Sequence, residues 1–227
     1  MSLQNLFRVA ALGLGLLATG ASAQTAQMQD VKTIAARVDA KYNKLQTLVT
    51  DFTEFYSGAG VTRQESGSLT LKRSGKMRWD FVTPRAKLFV SDGKTAYFYL
   101  PEERQVRKAA VKKLDDFHSP IRYLLGRSRL ESEFQELRLE SGAKPWKPGN
   151  LVLSGVPKRL SDRVGLVLLE ISPQNVIERI VIEEVDGSTT EFRFANLVED
   201  RPVPDDRFRF KIPPGVETIE AAELTGP

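Results

Sequence analysis

The spacing of apolar positions changes once along the chain, near residue 48. Between residues 30 and 46, Val31, Ile34, Ala35, Val38, Tyr42 and Leu45 recur at intervals of three and four, which predicts an amphipathic helix with one face toward a core. From Leu48 onward the interval is two. Phe52, then Leu69 and Leu71, then Met77, Trp79 and Phe81, then Leu88 and Val90, then Tyr97 and Tyr99 fall in short alternating runs between turn residues, the pattern of half-buried strands. Asp92-Gly93 is the strongest hairpin signal, since both central positions of a type I′ turn need positive φ. Ser74-Gly75 and Asp186-Gly187 mark two more. Further strands are predicted over 136–140, 151–154, 164–171, 176–185, 189–197 and 208–211, and GAKPWKPGN reads as a loop from its Pro and Gly content.

The strand pattern breaks in the middle. SPIRYLLG places Ser119 as N-cap, Pro120 at the first helical position and Gly126 just past the end, with Ile121, Leu124 and Leu125 on one face, which predicts a second, short amphipathic helix. The expected fold is therefore mainly β (α+β): about eleven strands in a curled antiparallel sheet forming an incomplete β-barrel, covered by a helical lid. Two helices, one of about two turns, leave part of a concave apolar face uncovered and open to a ligand. A helix that short is held by its docking contacts and can move as a lid.

Residues 1–23 read as a secretory signal peptide, with Arg8, the apolar stretch VAALGLGLLA and the Ala21-Ser22-Ala23 cleavage site. A single domain is expected over 24–220, followed by a frayed tail over 221–227. The chain contains no cysteine, so packing alone must hold it and a lipid anchor at the cleaved N-terminus is not expected. Net charge is +4 over 227 residues. Arg8 is the only charge in the leader, so the mature chain keeps 32 of the 33 basic residues against all 29 acidic ones. A surface this mixed lacks the basic excess of a nucleic-acid binder, and no nucleic-acid partner is expected.

The inventory of reactive groups is thin. G-x-S-x-G is missing, thiol chemistry is ruled out by the lack of cysteine, and His118 is the only histidine, so a triad or a zinc cluster has almost nothing to draw on. The pairs Glu102-Glu103, Asp115-Asp116, Glu183-Glu184 and Asp205-Asp206 are adjacent and point to opposite faces on a strand, as solvated charge does. Neither an enzyme nor a cofactor is indicated. A binding module for something apolar fits better.

SLTLKRSGKMRWDF, residues 68–81, holds the most specific pattern. Met77, Trp79 and Phe81 share one face, Leu69 and Leu71 offer a matching face across the turn, and the tip carries Lys72, Arg73 and Lys76. The apolar face is either core packed against the first helix or the lining of a cavity. Arg73 is either solvated or a rim donor to carbonyl oxygens at the end of a neighbouring helix.

LVTDFTEF, GSLTLKRSGKMRWDFVTP, VSDGKTAYFYLPEERQV, the SPIRYLLGR helix and the closing FRFKIPPGVE resemble the LolA family of periplasmic carriers of outer-membrane lipoproteins. The resemblance covers about residues 29–220. It implies an incomplete barrel with a helical lid over an apolar cavity that receives lipoprotein acyl chains, with a cavity-mouth position falling on Met77. By the alternation along the strands, the lining would be Leu69, Leu71, Met77, Trp79, Phe81, Tyr97 and Tyr99, and the lid would carry Ile121, Leu124 and Leu125. The family's latch arginine falls on Arg73, with Ser74 where proline is common. The implied setting is the periplasm, and the implied partners are the inner-membrane transporter LolCDE as donor and LolB or an equivalent as receptor, the carrier itself being a monomer. A related amphiphile carrier or a lipoprotein sensor of the same fold is the alternative.

Overall fold

The computed structural model describes residues 18–111, 124 and 129–221, with the side chains of the first helix described from residue 30. That helix, α1, spans Ala18–Tyr42. It begins ahead of the expected cleavage site and stops one turn before the predicted end. The stop coincides with the change of period: Asn43 to Gln46 turn the chain, and the β-branched, alternating sequence that follows enters a strand. Val31, Ile34, Ala35, Val38 and Tyr42 are all buried, as is Leu45 just beyond the helix.

Twelve strands form one sheet: β1 Thr47–Gly58, β2 Val61–Lys72, β3 Lys76–Thr83, β4 Lys87–Asp92, β5 Thr95–Leu100, β6 Gln105–Ala110, β7 Phe134–Leu139, β8 Leu151–Pro157, β9 Val164–Ile171, β10 Ile177–Glu184, β11 Thr189–Glu199 and β12 Glu217–Glu220. A four-residue helix, α2 (Leu130–Glu133), precedes β7. The order across the sheet is β12-β6-β5-β4-β3-β2-β1-β11-β10-β9-β8-β7. It comprises two antiparallel meanders joined where β1 pairs with β11, and β12 adds to β6 in parallel. The edges, β7 and β12, do not pair with each other, so the barrel is open.

Three expectations need correction. The strands do not follow one another across the sheet in chain order: the chain leaves it at β6 and re-enters at β7, the opposite edge of the strand order. Residues 208–211 are not a strand: the prolines at 202, 204, 213 and 214 deny ladder donors, and Asp205–Phe208 is a 3₁₀ turn. The strands β6 and β12 stand in addition to those read from the pattern. Finally, the Asp92-Gly93 turn has positive φ only at Gly93. Asp92 instead accepts the N–H groups of Lys94 and Thr95 at 2.7 and 2.8 Å, an Asx turn. The two-residue hairpin with positive φ at both positions is Ala59-Gly60.

Register assigns the two faces. Leu48, Phe52, Leu69, Leu71, Trp79, Phe89 and Phe98 on one side, with Phe192, Phe194, Ile180 and Leu169 on the other, form a continuous concave core roofed by α1. The hydroxyl of Tyr42 accepts the backbone N–H of Ile177 at 2.9 Å, tying the helix to the second meander. The convex face has its own covers. Residues 200–216 lie over β3 to β6, with Phe208 buried and Phe210 5.4 and 5.5 Å from the rings of Tyr97 and Tyr99. The loop at 140–150 is pinned by Glu170, fully buried, which accepts the N–H groups of Trp146 and Lys147 and the Asn150 amide at 2.8, 2.9 and 3.0 Å.

Gly67 on β2 pairs with Phe81 on β3, next to a register shift at Ser66. A Cβ there would stand 1.9 Å from the Asp80 carbonyl oxygen, and backbone cannot yield as a side chain can. Gly67→Ala is expected to lower the unfolding free energy by about 2 kcal/mol or more, read as an earlier urea midpoint.

Candidate functional site

Alternation along β2 and β3 places Leu71 opposite both Leu48 and Met77, Leu69 opposite Trp79, and Gly67 opposite both Phe52 and Phe81. Three aromatic rings gather beside Gly67 on this face. Phe52 meets Trp79 and Phe81 edge-on at 4.7 and 5.0 Å between centroids, and Trp79 reaches Phe192 of the second meander at 5.8 Å. Leu69, Leu71 and Trp79 are buried, and Met77 and Phe81 pack against them. All five therefore share the concave side. Tyr97 and Tyr99 do not. On β5 the residues facing α1 are Ala96, Phe98 and Leu100, and the tyrosines point the other way, onto Phe210. The sequence could not show this, because Ala96, Tyr97, Phe98, Tyr99 and Leu100 form an unbroken apolar run with no polar parity to read.

The basic tip between β2 and β3 is internally satisfied. Arg73 donates from Nε to the Leu45 carbonyl at 2.7 Å and from Nη2 to the Asn43 carbonyl, two acceptors just past the end of α1, where helix carbonyls lack intrahelical partners and a cation meets the negative end of the dipole. Its own backbone N–H donates to Gln46 at 3.0 Å. Lys72 and Lys76 are taken by Asp205, at 2.7 and 2.6 Å to its two carboxylate oxygens, and Lys72 also donates to the Val203 carbonyl at 2.7 Å. These two lysines hold the Asp205 carboxyl down at about 2. All three cations of the tip are therefore engaged by groups of the chain itself. Asp205 was expected to be solvated charge; it is instead the clamp that ties the C-terminal segment to the hairpin. Gln46 and Asp200 close the same junction, the Gln46 N–H donating to the Asp200 carboxylate at 2.7 Å.

Ser74 has φ +72° and Gly75 φ +76°. A proline ring holds φ near −65°, so proline is excluded at position 74 by this loop's geometry. The tip adopts a different turn instead of a looser version of a proline turn.

Of the expected lid residues, Ile121 and Leu125 lie outside the described residues, as do Ser119, Gly126 and His118. Leu124 is buried, 3% exposed, and with Tyr42, Leu45, Leu48, Leu71 and Arg73 it lines a crevice of about 10 Å³, room for about one water. Where the chain returns to the sheet, both oxygens of Asp39 on α1 accept the N–H of Leu130, at 3.2 and 3.0 Å. Lys32 on the same helix pairs with Glu131 at 3.1 Å. No group of metal-ligating side chains is found among the described residues, and none of their helices is long and apolar enough to cross a membrane.

The family described as "Outer membrane lipoprotein carrier protein LolA" matches residues 43–211. Two similar proteins named outer-membrane lipoprotein carrier protein come from Pseudomonas aeruginosa, 30% identical over 213 residues that cover 92% of this chain and 97% of that one, and from Chromobacterium violaceum, 29% identical over 212 residues covering 92% and 94%. Among solved structures, the Mycobacterium tuberculosis lipoprotein LppX superposes with a TM-score of 0.51 at 12% identity, over 78% of this chain and 99% of that one, a likeness of fold alone.

Burial raises the Asp39 carboxyl from 3.8 to about 6, against the opposing pull of the Leu130 N–H, with Glu133 adding to the rise and Arg129 countering it. The folded state thus binds this proton more tightly than the unfolded chain, and the stability it contributes is present below pH 4 and lost as pH rises through 6. Asp39→Asn is expected to remove that dependence. At pH 7.5 it should stabilise the protein by about 1 kcal/mol, solvent screening of the partly exposed carboxylate having reduced the effect, measured by thermal melts across pH 4–8.

Proposed function

The chain belongs to the LolA family of outer membrane lipoprotein carrier proteins, and on that premise we propose that it shields the acyl chains of lipoproteins against the concave face of its open barrel and carries them to the outer membrane. The observation that carries this reading is the pairing of a continuous apolar stretch of the concave face with a roof, α1, whose end is held by Arg73 through main-chain carbonyls. Each buried methylene contributes about 0.8 kcal/mol, so even one acyl chain in water carries a large penalty and needs a cover.

The same carrier must also release its load. Apolar contacts are non-directional, and a closed roof that competes with the ligand lets a receptor draw the chains out. In this reading Arg73 sets how strongly the closed state competes, and Leu69, Leu71, Met77, Trp79 and Phe81 meet the chains once α1 and the lid segment bearing Ile121, Leu124 and Leu125 have moved. The donor is the transporter LolCDE and the receptor is LolB or its equivalent. The setting is the periplasm, reached by cleavage after Ala23. The described side chains of α1 that pack on the sheet run from Val31 to Tyr42, beyond that site, so cleavage leaves their packing intact.

Arg73→Leu removes both contacts to the end of α1. The variant is expected to retain bound lipoprotein longer and to pass it to receptor-bearing membranes about tenfold more slowly, the effect of roughly 1.4 kcal/mol lost from the closed state. Transfer at the unaltered rate would reject the latch role. Lipid co-purified from the periplasm and identified by mass spectrometry tests the cargo itself, and N-terminal sequencing of the exported chain should begin at Gln24.

A further inference from the structure

The concave face is not apolar to its end. Beyond Phe52 and Phe81, toward the β1–β2 hairpin tip, the same register brings Glu54 opposite Glu65 and Tyr56 opposite Arg63, and Lys87 opposite Phe81. Lys87 crosses the Phe81 ring, 4.9 Å from its centroid, to place its ammonium 2.6 and 2.7 Å from the two oxygens of Glu65. These two side chains are only 8% and 6% exposed. Arg63 lies 5.0 Å over the Tyr56 ring with Nε 3.6 Å from Glu65, beyond hydrogen-bond reach. Among the described residues, Arg63 Nε is a buried nitrogen with no hydrogen-bond acceptor. Glu54, directly across, has its carboxyl pushed up by burial and by the nearby Glu65.

Such a row is an expensive way to finish a hydrophobic face. A buried ion pair is commonly no more stabilising than apolar side chains of the same shape, and an unpaired buried donor costs the desolvation of its N–H. Both costs are offset when a ligand supplies acceptors. A polypeptide carrying acyl chains necessarily has ester or amide carbonyls where the chains are attached, and these accept hydrogen bonds without adding charge to a row that already balances two acids with two bases.

We propose that Arg63 and the Glu65–Lys87 pair form a polar subsite that binds the ester and amide carbonyls at the head of the cargo's acyl chains. The tails then run along Phe52, Trp79 and Leu69 toward α1 and Arg73, and the polypeptide leaves at the hairpin-tip end. This rests on the carrier reading and fixes the direction in which the cargo lies.

The test compares two probes on the exported full chain: a synthetic triacylated cysteinyl hexapeptide, and the neutral apolar dye N-phenyl-1-naphthylamine, which has no carbonyl. Arg63→Lys keeps the charge and removes Nε. The double variant Glu65→Leu with Lys87→Leu replaces the pair by apolar volume and guards against misfolding of either single change. Each is expected to lower lipopeptide affinity relative to dye affinity about tenfold, the loss of one or two net hydrogen bonds. An unchanged ratio, whether both affinities hold or both fall together, overturns the subsite. A wild-type chain that binds the dye but not the lipopeptide overturns it as well. A wild-type chain that binds neither overturns the carrier reading beneath it.

Discussion

A guanidinium seated on two main-chain carbonyls ties the end of the covering helix to the sheet. Helix ends leave acceptors unsatisfied, and at the end of α1 a hairpin from another part of the chain meets that need. Arg73 sits between Lys72 and Lys76, whose charges are drawn aside by Asp205, so the arginine is the one cation of the tip aimed at the helix. Three segments distant in sequence, the start of β1, the β2–β3 tip and the stretch from Asp200 to Asp205, are joined at that point. The covering helix is thereby attached by polar contacts at its end and by apolar contacts along its length, and the two kinds respond differently to an oily ligand.

Much of this was legible in the order of residues, where polarity alternated. The first helix, its buried face, and the concave set Leu69, Leu71, Met77, Trp79 and Phe81 follow from period alone. Legibility failed where that alternation vanished. The run from Ala96 to Leu100 is apolar on both faces because a C-terminal aromatic, Phe210, covers the outer one, a partner more than a hundred residues away. Asp205 looked solvated for the same reason: its value lies in two lysines that only the fold brings near. The pairing of β1 with β11, which divides the sheet into two meanders, leaves no local mark, since each strand of that pair also follows ordinary hairpin patterning with its other neighbour.

The two faces of the sheet are stabilised by different means. The concave side relies mainly on apolar packing, its buried ion pair being Glu65 with Lys87. The convex side relies on directional contacts: Glu170 holds a loop by backbone donors, and Arg179 and Arg193 share Glu191 at 2.8 and 2.6 Å. A face fixed by hydrogen bonds keeps its shape, and a face held by packing can exchange one apolar neighbour for another. Rigidity outside and permissiveness inside is the division of labour that a transient host for hydrocarbon requires.

The last strand has a consequence for the molecule in company. An open sheet presents unpaired main-chain groups at each border, and copies of the same chain can add to them without limit. Here β12 occupies one border with Glu217, Thr218, Ile219 and Glu220, all exposed, and Lys108 secures Glu220 at 3.0 Å. The opposite border, β7, is bent by positive φ at Glu136, which spoils it as a template. A carboxylate fringe on one side and a crooked strand on the other keep neighbouring copies from stacking into fibres, so the barrel can remain unsealed without becoming adhesive.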